Sequence, residues 1–259
     1  MKKFVQQTIR MAMVIIIIAA GLLMTNPSWA QEKLILTTNE FTVKNGHKSQ
    51  FEEGVKAWKA CYLENKGEWT WTMWKRLNGK GTVYVLSSMS PNWAKMDDEN
   101  DAAGKKCRQV AIDKIFPYVE STEDNFATAM PEFSREGNSE WGVIWVTFFR
   151  VENSPLFKET VQEIGNIMKD VEGDKRGYWY SANGGGTESA DYYVTTPYKN
   201  FAALDVKRDG VWELVEKAKG KDHSDKLRAN LRNSLKDSWM YLYKRMDDLS
   251  HNPVVETKK

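Results

Sequence analysis

Val83-Tyr84-Val85-Leu86-Ser87-Ser88-Met-Ser-Pro-Asn92-Trp93-Ala94-Lys-Met96-Asp97 lines up without a gap on Asp191-Tyr192-Tyr193-Val194-Thr195-Thr196-Pro-Tyr-Lys-Asn200-Phe201-Ala202-Ala-Leu204-Asp205, 108 residues later. At the same offset Phe41-Thr-Val43-Lys-Asn45 falls on Phe149-Arg-Val151-Glu-Asn153, and Trp71 falls on Trp179. Self-similarity on this scale marks a whole folding unit used twice. The two units predict architecture; none of these residues names a substrate.

Working outward, each unit reads strand, helix, strand, strand, helix and a last strand. In the first, 34–43 is a strand that Asn45-Gly46 interrupts, and Ser49 is expected to cap a helix running to Glu64 with Phe51, Val55, Trp58 and Tyr62 as its stripe. Strands over 68–77 and 82–88 flank the hairpin signal Asn78-Gly79-Lys80-Gly81, and 92–119 is helix-rich. In the second, 141–151 is a strand, and Pro155 opens a helix with the stripe Phe157, Val161, Ile164 and Met168. Strands 178–182 and 192–196 flank Asn183-Gly184-Gly185-Gly186, and 211–235 is helical with a break at 220–224. Met130-Pro-Glu-Phe133-Ser134 recurs as Met246-Asp-Asp-Leu249-Ser250 at an offset of 116, so extra residues are expected in the second unit's last helical region, at that break.

Trp141, Val143, Trp145 and Phe149 lie on one face of their strand, and Ile144, Val146 and Phe148 lie on the other. Both faces are apolar and need cover. A single β-α-β-β-α-β unit shields one face of its sheet with helices and leaves the other bare. Two units bury those bare faces in each other. The expected fold is α+β: tandem ferredoxin-like (β-α-β-β-α-β) repeats packed sheet to sheet as an intramolecular α+β barrel, with repeats at 31–137 and 138–259. With its aromatic strands and the Asn-Trp/Phe-Ala turn, this layout resembles the dimeric α+β barrel superfamily, the NIPSNAP-like and antibiotic-biosynthesis-monooxygenase-like members above all. The resemblance implies a menu of cofactor-free oxygenases, haem enzymes and other proteins, and no choice among them.

Residues 1–30 read as a signal peptide: Lys2, Lys3 and Arg10, an apolar run from Met11 to Met24, then Ser28-Trp29-Ala30 before a cut at Gln31. A single-pass anchor is the alternative, against which the apolar run is short. The chain is thus expected to be exported, periplasmic or secreted, with no membrane association after signal removal. The leader holds three of the 37 Lys+Arg and none of the 35 Asp+Glu, leaving 34 against 35, or net −1. That balance offers no footprint for nucleic acid. The two cysteines, Cys61 and Cys107, suit a disulfide in an oxidising compartment, with two buried thiols as the alternative.

Chemistry is sparse. His47, His223 and His251 fall at a turn, a helix break and a terminus, where an axial haem ligand has little support. No metal-ligand spacing occurs, so neither a metal site nor a resident cofactor is expected. Asp97-Asp98-Glu99 reads as a helix first turn, and Asp247-Asp248 as a strand end. Aromatics are the sharper signal: Trp69, Trp71, Trp74, then Tyr178, Trp179, Tyr180, then Trp239, Tyr241, Tyr243. Core filling and a ligand-lined pocket are both open readings, with glycan stacking on an outer face a third. The pocket reading makes Trp71, Trp179, Trp145 and Tyr180 candidate ligand contacts, with Asn92 and Asn200 at the rim. Its partner is a small apolar or aromatic molecule, bound or oxygenated without a cofactor; a protein-interaction module with a filled core is the remaining possibility. The barrel would be complete in a monomer, leaving the oligomeric state open.

Overall fold

A computed structural model describes residues 34–97, 101–137 and 139–252. The expected leader lies outside the described residues, as do Asp98 and Glu99. Eight antiparallel strands form a closed barrel: β1 (Ile35–Val43), β2 (Thr72–Arg76), β3 (Thr82–Ser90), β4 (Val119–Ala129), β5 (Val143–Val151), β6 (Tyr178–Ala182), β7 (Tyr192–Tyr198) and β8 (Leu235–Arg245). Around the barrel they run β1-β3-β2-β8-β5-β7-β6-β4. Helices α1 (Lys48–Glu64), α2 (Ala102–Lys114), α3 (Ser154–Glu172), α4 (Val211–Lys219) and α5 (Lys221–Ser234) lie outside it. No described helix is long and apolar enough to cross a membrane.

Long ladders join β4-β1-β3-β2 and, separately, β8-β5-β7-β6. Two short seams close the ring. At one, Trp74, Lys75 and Arg76 pair with Arg245, Lys244 and Tyr243; at the other, Ala127, Thr128 and Ala129 pair with Ala182, Ser181 and Tyr180. Because side chains alternate along each strand, every strand gives one face to the helices and one to the barrel interior. The helix-facing core of β1, β2 and β3 gathers Val43, Trp71, Met73, Tyr84 and Leu86 with Phe51, Val55 and Tyr62 of α1. The corresponding core of the other strands gathers Phe149, Trp179 and Tyr192 with Phe157 and Val161 of α3.

Local chemistry accounts for most element ends, with corrections. Gly46, at φ +81°, turns the chain after β1, and α1 begins at Lys48 with His47 at the cap position and no side-chain cap bond. Ser49 therefore lies inside the first turn instead of capping it. α2 is capped by Asp101, whose Oδ1 accepts from the Gly104 amide at 2.9 Å. β2 is shorter than expected, since 68–71 leaves the ladder and Trp71 instead bridges His251. The extra residues of the second half form an added helix, α4, and the break is Gly220 alone, at φ +88°. α4 has a reason to exist: with α3 and α5 it closes a satellite core of Ile164, Ile167, Leu214, Val215 and Leu227.

Cys61 of α1 and Cys107 of α2 form a disulfide with Cα atoms 5.9 Å apart. The two helices also meet at Gly54, where an added Cβ would run into the Lys114 carbonyl group. Gly54→Ala is therefore expected to destabilise by about 1–3 kcal/mol, the usual range for overpacking against a rigid neighbour. Urea titration reads this as a lowered midpoint; an unchanged midpoint would deny so close a crossing.

Candidate functional site

The barrel interior is built from residues two apart on each strand. Trp74 and Arg76 of β2, Val85 of β3, Ile144, Val146 and Phe148 of β5, Tyr193 of β7 and Tyr241 and Tyr243 of β8 converge there; Trp74, Ile144, Val146 and Tyr243 are buried. Tyr180 of β6 stacks on Tyr193 with ring centroids 5.2 Å apart, and Trp239 of β8 stacks on Phe148 at 5.5 Å. Phe148, Tyr193, Trp239 and Tyr241 keep part of their surface accessible, so this wall of β5, β7 and β8 is the approachable one.

A charged pair enters this aromatic space. The Arg76 guanidinium lies 4.5 Å from the centre of the Tyr241 ring and 3.6 Å from a Glu40 carboxylate oxygen, and one of its amino groups donates to the Lys80 carbonyl. Arg76 Nε is buried with no partner among the described residues. Burial raises the Glu40 pKa above its ordinary value; Arg76 opposes the rise and Glu123, facing it from β4, adds to it. Tyr180, Tyr193 and Tyr243 are held neutral by burial, their pKa values pushed upward. They are therefore hydrogen-bond donors throughout the physiological range.

No protein acceptor is bonded to the Tyr180 or Tyr193 hydroxyl among the described residues. By contrast, the helix-facing tyrosines are satisfied: Tyr84 donates to Glu52, and Tyr192 shares a hydrogen bond of 2.8 Å with Ser154. The interior thus combines stacked rings, two uncommitted phenols and one guanidinium. It suits a small aromatic molecule with a polar substituent.

Of the six candidate ligand contacts, Tyr180 faces this space and the other five do not, although Trp74, Trp239, Tyr241 and Tyr243 of the same aromatic clusters do. Trp71, 1% exposed, lies against α1, and its Nε1 donates to the Leu249 carbonyl at 2.8 Å. Trp179 stacks on Phe149 at 5.5 Å on the α3 side. Trp145 is on the outer face, with Nε1 3.1 Å from Met240 Sδ. Asn92 and Asn200 cap turns, accepting from the Lys95 and Ala203 amides at 3.2 and 3.1 Å. The expectation that Trp71 and Trp179 share one interior is corrected by the ladders. Met73 pairs with Leu86, and Trp179 with Val194, which is Leu86 at the 108 offset; the counterpart of Trp179 is Met73. Two surface concavities, of about 330 Å³ beneath the 183–191 turn and about 560 Å³ beside Glu213 and Arg228, are bordered by neither tryptophan.

Sequence reading passed over Arg76 and Glu40. Their signal was a charge in phase with apolar strand neighbours, Arg76 two residues after Trp74 and Glu40 in mid-strand. The histidines lie elsewhere: His47 stacks on Tyr118, His223 Nε2 is 2.8 Å from Glu163, and the His251 ring packs on Trp71. These contacts place all three histidines away from the interior rings, so none of them is positioned to hold a haem iron there. No group of three or more metal-ligating side chains occurs among the described residues.

No family model matches the chain, and no curated protein matches it. Solved structures do. A candidate monooxygenase of Lactobacillus acidophilus NCFM is similar at 10% identity with a TM-score of 0.51, over 83% of this chain and 94% of the other. A second, from Fusobacterium nucleatum subsp. nucleatum ATCC 25586, gives 10%, 0.51, 83% and 93%. A chlorite dismutase of Candidatus Nitrospira defluvii gives 8%, 0.49, 85% and 94%. At such identities the likeness is one of fold alone.

Proposed function

We propose that this chain is an exported binding protein made of two fused ferredoxin-like repeats, 31–137 and 138–259, that holds a small aromatic molecule inside the barrel. The carrying observation is that the Tyr180 and Tyr193 phenols, with no protein hydrogen-bond partner among the described residues, stand stacked beside the accessible rings of Phe148, Trp239 and Tyr241. The rings supply stacking area, and the phenols and Arg76 Nε supply orientation. The Cys61–Cys107 disulfide supports residence in an oxidising compartment. The strand-helix-strand-strand-helix-strand order, met once from Ile35 to Ala129 and again, with α4 added, from Val143 to Arg245, supports the fusion. Cofactor-free oxygenation of the same molecule is the second reading, favoured by Glu40, a carboxyl group in the interior whose pKa burial raises above its ordinary value, the direction a general base requires.

Native mass spectrometry of the protein purified from its own host tests the reading. A small-molecule adduct is expected on the wild type and is expected to be lost or reduced in Tyr193→Phe. One lost hydrogen bond of about 0.5–1.5 kcal/mol weakens binding roughly 2- to 10-fold. The same variant, stripped of ligand, is expected to melt no lower than the wild type, because the hydroxyl it removes had no protein partner. A bare polypeptide mass from the host sinks the proposal. Oxygen uptake by the loaded protein separates catalysis from storage.

A further inference from the structure

The seam that closes the barrel between β2 and β8 gathers cations on its outer face. Lys75 stands directly opposite Lys244 in the ladder, a like-charge pairing that weakens a sheet. Lys48 is the first residue of α1, whose first turn contains no acidic residue, so its charge sits at the positive end of that helix. Its ammonium comes close enough to Lys75 to disfavour the Lys75 charge; after burial, this contact is the largest cause of a lowered Lys75 pKa, to which Lys244 adds. Three separate repulsions therefore meet at one point.

Glu52 offsets part of this repulsion by favouring the Lys75 charge, one carboxylate against three ammonium groups. Glu52 lies 3.9 Å from Lys48 Nζ and already accepts the Tyr84 hydroxyl. Asp248 is 3.3 Å from Lys56, and Asp247 is 2.8 Å from Arg245. A generally basic surface does not account for the cluster either, since the chain after residue 30 has no excess of Lys+Arg over Asp+Glu. We propose that Lys48, Lys75 and Lys244 bind a phosphate group across the β2–β8 seam. Its two negative charges would offset the repulsion that the seam carries, and three ammonium groups on different elements supply convergent donors. The site is separate from the barrel interior, because Lys75 points away from the face that carries Trp74 and Arg76.

Thermal unfolding in sodium phosphate against sodium chloride of equal ionic strength tests this. The wild type is expected to gain roughly 5 °C at saturating phosphate. Lys75→Met is expected to gain nothing from phosphate and, in chloride, to melt at or above the wild type because a repulsion has gone. Lys244→Met is a second variant should the first fail to fold. Flotation with phosphatidate vesicles against phosphatidylcholine vesicles identifies the source of the group: selective binding to phosphatidate, lost in Lys75→Met, assigns a lipid headgroup, and a phosphate shift without flotation assigns a free phosphate. Absence of both effects, or their persistence in both variants, overturns the site. pH supplies an independent readout. With the Lys75 pKa lowered in the folded chain, the unfolded chain binds more protons just below 10.5, so stability should rise with pH through that window in chloride. Lys75→Met should flatten that rise.

Discussion

Trp71→Ala is expected to lower stability by about 3–5 kcal/mol, the range for removing a large buried aromatic side chain. Trp71 is among the largest fully buried residues and lies 5.6 Å from the Tyr62 ring, 5.2 Å from Trp58 and 5.2 Å from Trp69. Its backbone exchanges two hydrogen bonds of 2.9 Å with His251, and its indole N–H reaches the Leu249 carbonyl. One side chain therefore ties β2 and α1 to the segment after β8. At about 2–4 °C per kcal/mol for a chain of this size, the melting temperature should fall by roughly 6–20 °C in a circular-dichroism scan. Trp71→Phe keeps much of the ring contact but orphans the Leu249 carbonyl, for a smaller loss of about 1–3 kcal/mol. Were Trp71→Ala to melt with the wild type while changing ligand retention, the structural role given to this residue would be wrong.

Breaking the Cys61–Cys107 bond is the second large effect. The cysteines are 46 positions apart, for which chain entropy gives a stabilisation of roughly 4 kcal/mol. Cys107 is fully buried, so replacing both cysteines by alanine also removes a little packing. The effect should concentrate in the first half, because the bond joins α1 to α2 and no disulfide joins α3 to its neighbours. Hydrogen exchange followed by mass spectrometry, with and without reductant, is expected to show faster exchange in α1 and α2 while β5, β7 and α3 change least. Uniform acceleration through both halves would mean that the chain unfolds as one unit once the bond is cut.

Sequence similarity at a fixed offset located the strands and helices well, because strand alternation, helical stripes and Gly-rich turns are local signals. It misjudged equivalence within them. The loop between β1 and α1 is four residues long, 44–47, and that between β5 and α3 is two, 152–153. The offset of 108 therefore holds for β1 and β3 but becomes 106 for α1 and β2, and the pairing of Trp71 with Trp179 was a coincidence of tryptophans. Nor could alternation say which face of β2 meets α1. Trp71 and Trp74 are three apart and must face opposite ways, yet both faces are apolar, so periodicity offers no preference.

What the chain decided locally was the succession of elements and the helix stripes, since each depends on neighbours a few residues away. Closure decided the rest. Only when β2 meets β8 and β4 meets β6 do Arg76, Glu40, Tyr180, Tyr193 and Tyr243, drawn from five strands, come to share one interior, and only there does Lys75 come to stand against Lys244. Pairing between strands distant in sequence is set by register at the seams, and no local pattern encodes that register.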